Sequence, residues 1–196
     1  MPPLFFKEHA RIDLMSVRIE ADSVVLLSIE ESYAREIFQE LTPEITRYMS
    51  PKPAEKIEET LFFIYESRES MRKGRDLILV ITKKGDGEFL GCCGLQGKRN
   101  PGTPELGIWI KKSAHGNKYG REAIIALALW AVETIDFDYI IYPVDKANVA
   151  SRKIPEALGG IIFEEKKVRT RSGGYLDEVI YKISYEMLRS GNGRRQ

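Results

Sequence analysis

The chain has 196 residues, 43% of them hydrophobic and 30% charged, a composition that excludes a disordered chain and suits one domain with its own core. Thirty basic and 29 acidic side chains leave a net charge of +1, which argues against a protein that neutralises many phosphates of a nucleic acid. The longest apolar run, Ala123–Val132, has ten residues against the ~18–20 of a membrane span, and the N-terminus lacks a basic segment followed by an apolar one, so neither a membrane anchor nor a secretory leader is expected.

Taken in chain order, Ser16–Ala21 and Val24–Ser28 read as short strands either side of Asp22-Ser23. Glu31–Glu40 reads as a helix, Pro43, Pro51 and Pro53 mark a loop, and Ile57–Arg72 has helical spacing with Leu61, Ile64, Tyr65 and Arg68 on one face. Strands follow at Leu77–Thr82 and Glu88–Leu95 around the turn signal Gly85-Asp86-Gly87, and another at Glu105–Ile110. Cys92 and Cys93 are the only cysteines; as neighbours on a strand they point to opposite faces and do not suit a disulfide. With His9 and His115 far apart in sequence no metal site is expected, and the thiols read as core packing in a reduced, cytoplasmic protein.

A break containing Gly116 and Gly120 precedes a helix from Tyr119 to Thr134 that is apolar on most sides and so belongs against a sheet. Tyr139–Val144 is a buried strand, Val149–Leu158 a short helix and Ile161–Arg169 a strand. A hairpin through Ser172-Gly173-Gly174 leads to a last strand, Leu176–Tyr185. The polar end, 189–196, reads as a loose tail and leaves 1–188 as one domain. This order predicts a mixed α/β sheet rather than a regular doubly wound one.

The sequence has no GxxxxGK[ST], no GxGxxG and no GxSxG. What stands out is Glu105-Leu-Gly-Ile-Trp-Ile-Lys-Lys-Ser-Ala-His-Gly-Asn-Lys-Tyr-Gly-Arg-Glu-Ala123, in which a strand, a polar loop and a long helix follow one another. Free N–H groups and the positive dipole end at such a helix start suit a diphosphate, and Lys118 and Arg121 add charge there. An ordinary glycine-bearing strand-to-helix loop has the same pattern.

The stretch His115-Gly116-Asn117-Lys118-Tyr119-Gly120-Arg121-Glu122-Ala123 resembles the acyl-CoA loop of the Gcn5-related N-acetyltransferases, above all the branch that acetylates ribosomal-protein N-termini. His115 stands where that loop has Gln or Arg, and Lys118 where it has its central glycine. Asn148-Val-Ala-Ser151-Arg-Lys-Ile-Pro-Glu-Ala-Leu158-Gly159 is similar to a second family segment, with Gly160 in place of a Phe. Pro155 there is expected to kink or shorten its helix. The Arg18 region, Ile45–Pro51 and the strand at Gly174-x-x-Asp177 also fit, so the resemblance spans nearly the whole chain.

The resemblance implies an α/β acyl-CoA N-acyltransferase fold, a central, mostly antiparallel twisted sheet flanked by helices. It implies acetyl-CoA as cosubstrate and direct attack of a primary amine on the thioester. Glu105 is then the candidate general base. The backbone around Trp109 and Ile110 would hold the pantetheine arm or oxyanion, and His115, Gly116, Asn117, Lys118, Tyr119, Gly120 and Arg121 would hold the diphosphate. Asn148 would orient the pantetheine amide, or act as a helix cap, and Ser151 would sit near the sulfur. Tyr119 and Tyr142 read as core or rim residues.

The acceptor is expected to be a protein N-terminus or a small cationic amine. Between Glu20 and Glu66 eleven acidic residues face four basic ones, a local balance of −7 beside the expected acceptor groove. Two other functions compete. A scaffold retaining the fold without catalysis would account for Lys118 and Pro155, and the cluster Lys166-Lys167-Arg169-Arg171 is the one feature that suits nucleic acid. The expected state is a monomer or a homodimer.

Overall fold

A computed structural model describes residues 3–10, 12–97, 99–170 and 173–191. Among these residues are five α-helices: α1 (Ala34–Glu40), α2 (Ile57–Arg72), α3 (Tyr119–Thr134), α4 (Val149–Ala157) and α5 (Tyr185–Gly191). The strands are β1 (Phe5–Phe6), β2 (Arg18–Glu20), β3 (Val24–Ser28), β4 (Asp76–Lys83), β5 (Phe89–Gln96), β6 (Glu105–Ile110), β7 (Ile135–Asp136), β8 (Tyr139–Asp145), β9 (Ile161–Arg169) and β10 (Tyr175–Ser184). Eight of them form one sheet in the order β2-β3-β4-β5-β6-β8-β10-β9. Every pairing in it is antiparallel except β6 with β8, so the mixed, mostly antiparallel sheet expected from the sequence is the one observed.

The apolar period of α3 explains its position. Ala123, Ile124, Leu127, Ala128 and Ala131 are buried, and the helix lies against β2, β3, β5 and β6. On α2, Ile64 and Met71 are buried, and the helix packs on β4 and α1, while Phe62 and Tyr65 remain outside. Cys92 and Cys93 are both buried on β5. Burial pushes both thiols well above their ordinary range, as suits packing groups rather than nucleophiles.

Several boundaries move for local reasons. The first predicted strand shrinks to Arg18–Glu20 because Leu14–Ser16 turns as a 3₁₀-helix, capped by the Asp13 side chain accepting from Met15 N at 2.9 Å. The last strand stops at Ser184 and continues as α5, so the backbone stays helical to Gly191 where a loose tail was expected; residues 192–196 lie outside the described residues. Ser172 of the expected hairpin, and Arg171 of the basic cluster, also lie outside them.

Pro155 does not break α4. The helix runs through it to Ala157, one residue short of the expectation. Its carbonyl accepts from Gly160 N at 2.9 Å, and a Cβ on Gly160 would stand 2.9 Å from that same oxygen and 3.1 Å from Ile183 Cγ1. The tight exit from α4 therefore requires the absence of a side chain at 160.

Candidate active site

β6 and β8 run parallel but share one register pair, Glu105 with Ile141. The Ile141 N–H donates to the Pro104 carbonyl at 2.9 Å at that same end. Beyond it no further pairing joins the two strands among the described residues, so a wedge opens between them toward their C-terminal ends. α3 begins after the loop that leaves β6, and α4 after the turn that leaves β8, so the mouth of the wedge lies between two helix starts.

Strand alternation decides which β6 groups face the wedge. The Pro104 carbonyl points to β8, whereas Lys111 N donates to Leu90 O of β5 at 2.8 Å. The β5–β6 register has no shift between these points. Even-numbered residues therefore direct N–H and C=O away from β5, which turns the Ile108 peptide groups and the Ile110 N–H toward the wedge, while the Ile110 carbonyl is taken by His115. The Trp109 backbone turns to β5 instead, and its ring packs on Phe89 with centroids 5.8 Å apart. The Trp109 peptide groups thus bond the sheet, while those of Ile108, not singled out from the sequence, face the wedge. Simple alternation along β6 was the available signal. Gly91 fixes the arrangement, since a Cβ there would lie 2.2 Å from Trp109 O.

The loop after β6 is braced from within. His115 Nε2 lies 2.8 Å from Ile110 O, which can only accept, so Nε2 carries the proton and donates. Asn117 Nδ2 donates to Ala114 O at 3.3 Å and His115 O at 3.2 Å. Both side chains thus shape the loop and do not extend from it. Lys112 pairs with Glu44, and its ammonium holds the Glu44 carboxyl below the usual range. Gly116 is open, with nothing within 4 Å of a Cβ position.

Lys118 is the N-cap of α3 and the one non-glycine residue with positive φ, +64°, among the described residues. It holds the left-handed conformation a glycine would take most easily. The first intrahelical acceptor, Lys118 O, is used by Glu122 N, so the N–H groups of Tyr119, Gly120 and Arg121 have no intrahelical partner. Gly120 also lets α3 approach the sheet, since a Cβ there would meet Ile110 Cγ1 at 3.2 Å. Glu122 Oε1 accepts from Ser23 N at 2.6 Å and ties the helix start to the β2–β3 turn.

On the other side of the mouth, Asn148 Oδ1 accepts from Ser151 N at 3.2 Å, so the cap role is realised. Ser151 Oγ is 2.8 Å from Tyr142 Oη, a contact the sequence reading of Tyr142 as a core or rim residue missed. Glu105 sits at the apex, 22% exposed at its side chain and 3.6 Å from Arg99. Burial pushes its carboxyl above the usual range; Arg99 opposes this, and Glu178 adds to it.

The arrangement suits a thioester of coenzyme A. Unpaired peptide N–H groups line a slot, and a helix start with Lys118 and Arg121 stands at its mouth for a diphosphate. The acidic segment Glu20–Glu66 is partly neutralised: Glu20 meets Arg18 and Lys84, Glu44 meets Lys112, and Glu55 meets Lys52. The basic cluster is tempered as well, with Lys166 opposite Glu178 and Lys167 over the Tyr175 ring.

A family model described as an acetyltransferase (GNAT) domain matches residues 23–161. No curated protein matches the sequence. Among solved structures, a GNAT-family acetyltransferase from Bacillus anthracis is 16% identical, with TM-score 0.75, covering 87% of this chain and 99% of that one. The ribosomal L7/L12 alpha-N-protein acetyltransferase RimL, in complex with coenzyme A, is 16% identical with TM-score 0.77, covering 86% of this chain and 98% of its own. FdhC, a nucleotide-linked sugar GNAT, is 16% identical with TM-score 0.75 and coverage of 91% and 96%. At these identities the likeness shows a shared fold. No helix among the described residues is long and apolar enough to cross a membrane.

Proposed function

This chain belongs to the GNAT acetyltransferase family, and from that premise we propose that it moves the acetyl group of acetyl-CoA to a primary amine by direct attack in a ternary complex. The observation that carries this reading is the wedge between β6 and β8, joined only at Glu105 and Ile141. Acetyl-CoA supplies the activated acyl group. Ile108 and Ile110 N–H groups bind along the slot and stabilise the developing oxyanion; the α3 start with Lys118 and Arg121 holds the diphosphate. His115 and Asn117 keep that loop in shape.

An alkylammonium near pKa 10 must lose a proton before its nitrogen can attack. Glu105 takes it through water. The nitrogen then bonds the carbonyl carbon and gives up its second proton to solvent, the C–S bond breaks, and its electron pair leaves on sulfur as the thiolate of coenzyme A. Ser151 stands at α4 to hydrogen-bond that sulfur, and Asn148 fixes the turn that carries it.

Glu105 and Glu178 share the apex region with Arg99 and Lys166, two acidic groups against two basic ones, so the apex itself carries little net charge. A protein N-terminus, as in the branch that acetylates ribosomal proteins, and a small polyamine-like amine both fit. Assaying thiol release from acetyl-CoA against a panel of basic peptides and polyamines tests the reading. Amine-dependent release supports it, whereas binding of acetyl-CoA without transfer to any amine would leave a non-catalytic scaffold.

A further inference from the structure

Tyr142 is 2% exposed, and Ser151 Oγ is its one side-chain hydrogen-bond partner among the described residues. A phenol carries one proton, and leaving a buried O–H without an acceptor costs about 1–3 kcal/mol. The alternative, Ser151 donating to Tyr142, would strand that proton in the core. Tyr142 therefore donates and Ser151 accepts. Burial pushes the Tyr142 hydroxyl up to about 12, so it keeps its proton at all ordinary pH values.

A serine hydroxyl that accepts on one side has its own proton to give on another. Ser151 Oγ makes no second hydrogen bond among the described residues, and Ser151 lies in the first turn of α4, beside the C-terminal end of β8 where the wedge opens. We propose that Tyr142 is a positioning residue that, by donating to Ser151 Oγ, turns the Ser151 proton into the wedge, toward the sulfur of bound coenzyme A. The inference rests on the acetyltransferase reading of that wedge. No proton leaves Tyr142 in this arrangement. As the C–S bond breaks, the electron pair collects on sulfur and the Ser151 O–H stabilises it; the phenol holds the hydroxyl in that orientation. A proton from solvent then converts the thiolate to the free thiol.

The test reads the bound product and needs no turnover. The wild-type protein is saturated with coenzyme A, with saturation established by titration calorimetry, and the thiolate absorbance is followed against pH. The same is done for Tyr142→Phe, whose ring fills the same space, for Ser151→Ala and for the double variant. The bound thiol is expected to ionise about one unit higher in each single variant, and no higher in the double variant, because the two groups act in series. In turnover, Tyr142→Phe is expected to lower kcat about tenfold with KM for acetyl-CoA changed less than twofold. A thiol titration in Tyr142→Phe identical to wild type, with Ser151→Ala shifted, overturns the inference and leaves the acetyltransferase reading standing. Shifts that add in the double variant overturn the series arrangement. Failure of the wild-type protein to bind coenzyme A overturns both.

Discussion

Glu105 and Ile141 form the single register pair between two parallel strands, and the wedge opens from that pair. A base placed at Glu105 therefore stands where the strands part, and the peptide N–H groups of Ile108 and Ile110 lie along the slot above it. On the proposed mechanism one strand would supply both the proton acceptor and the oxyanion donors, with their separation set by strand rise rather than by loop conformation.

Glu105→Gln is expected to lower kcat at least tenfold while leaving acetyl-CoA affinity nearly unchanged. For the wild type, the rate is expected to fall as pH drops through a value above the usual carboxylate pKa, because only the ionised base works. The stability effect has the opposite sense. A carboxyl with a raised folded pKa loses stability as pH rises through that value, so the Gln variant is expected to unfold later than wild type at neutral pH. That difference should vanish below the unfolded carboxylate pKa of ~4.3. Paired melting curves at the two pH values check this.

Lys118→Gly removes a side chain from left-handed backbone, a relief of ~1–2 kcal/mol, offset by ~0.5–1 for the freer unfolded chain. The variant is expected to be as stable as wild type or slightly more so. Its affinity for acetyl-CoA is expected to fall, with a shallower dependence on salt, because one cation has left the diphosphate loop. Titrations at two ionic strengths decide the point, and tighter binding by the glycine variant would show that Lys118 obstructs the loop.

Gly91→Ala is expected to cost about 2–3 kcal/mol, since its Cβ would collide with backbone at Trp109 O, 2.2 Å away, where no side-chain rotation gives relief. The same collision displaces the Trp109–Ile110 peptide, so acetyl-CoA affinity should fall together with stability. Denaturant unfolding and calorimetric titration of the one variant measure both.

Asn148→Ser separates capping from ligand contact. Serine caps about as well as asparagine, so stability should hold to within ~0.5 kcal/mol, whereas Asn148→Ala should lose about 1. If the Asn148 amide also meets the pantetheine arm, the serine variant binds acetyl-CoA more weakly despite its intact helix.

Much of this architecture was legible from periodicity. The bounds of α2, α3, β6 and β9 coincide with the sequence expectation because each is flanked by a turn signal or carries an unbroken apolar period. β1 and β7 were missed because two-residue strands have no period to read, and α5 because Tyr185 continues the apolar alternation of the strand before it. At the site, the helix start and its loop were legible, but strand direction was not: a sequence places Trp109 and Ile110 side by side, and only the Lys111–Leu90 hydrogen bond shows which peptide faces the wedge. The Tyr142–Ser151 contact joins a strand to the following helix, and neither local pattern announces it. Gly160 is explained by the residue 155 carbonyl, which a Cβ at 160 would meet at 2.9 Å; nothing in the structure explains the proline at 155.

The most direct test of the central claim is a calorimetric titration of the wild-type protein with acetyl-CoA, followed in the same sample by a basic amine while free thiol is measured. The wedge predicts micromolar binding and stoichiometric, amine-dependent thiol release. A folded protein giving neither heat nor thiol up to millimolar acetyl-CoA would contradict it.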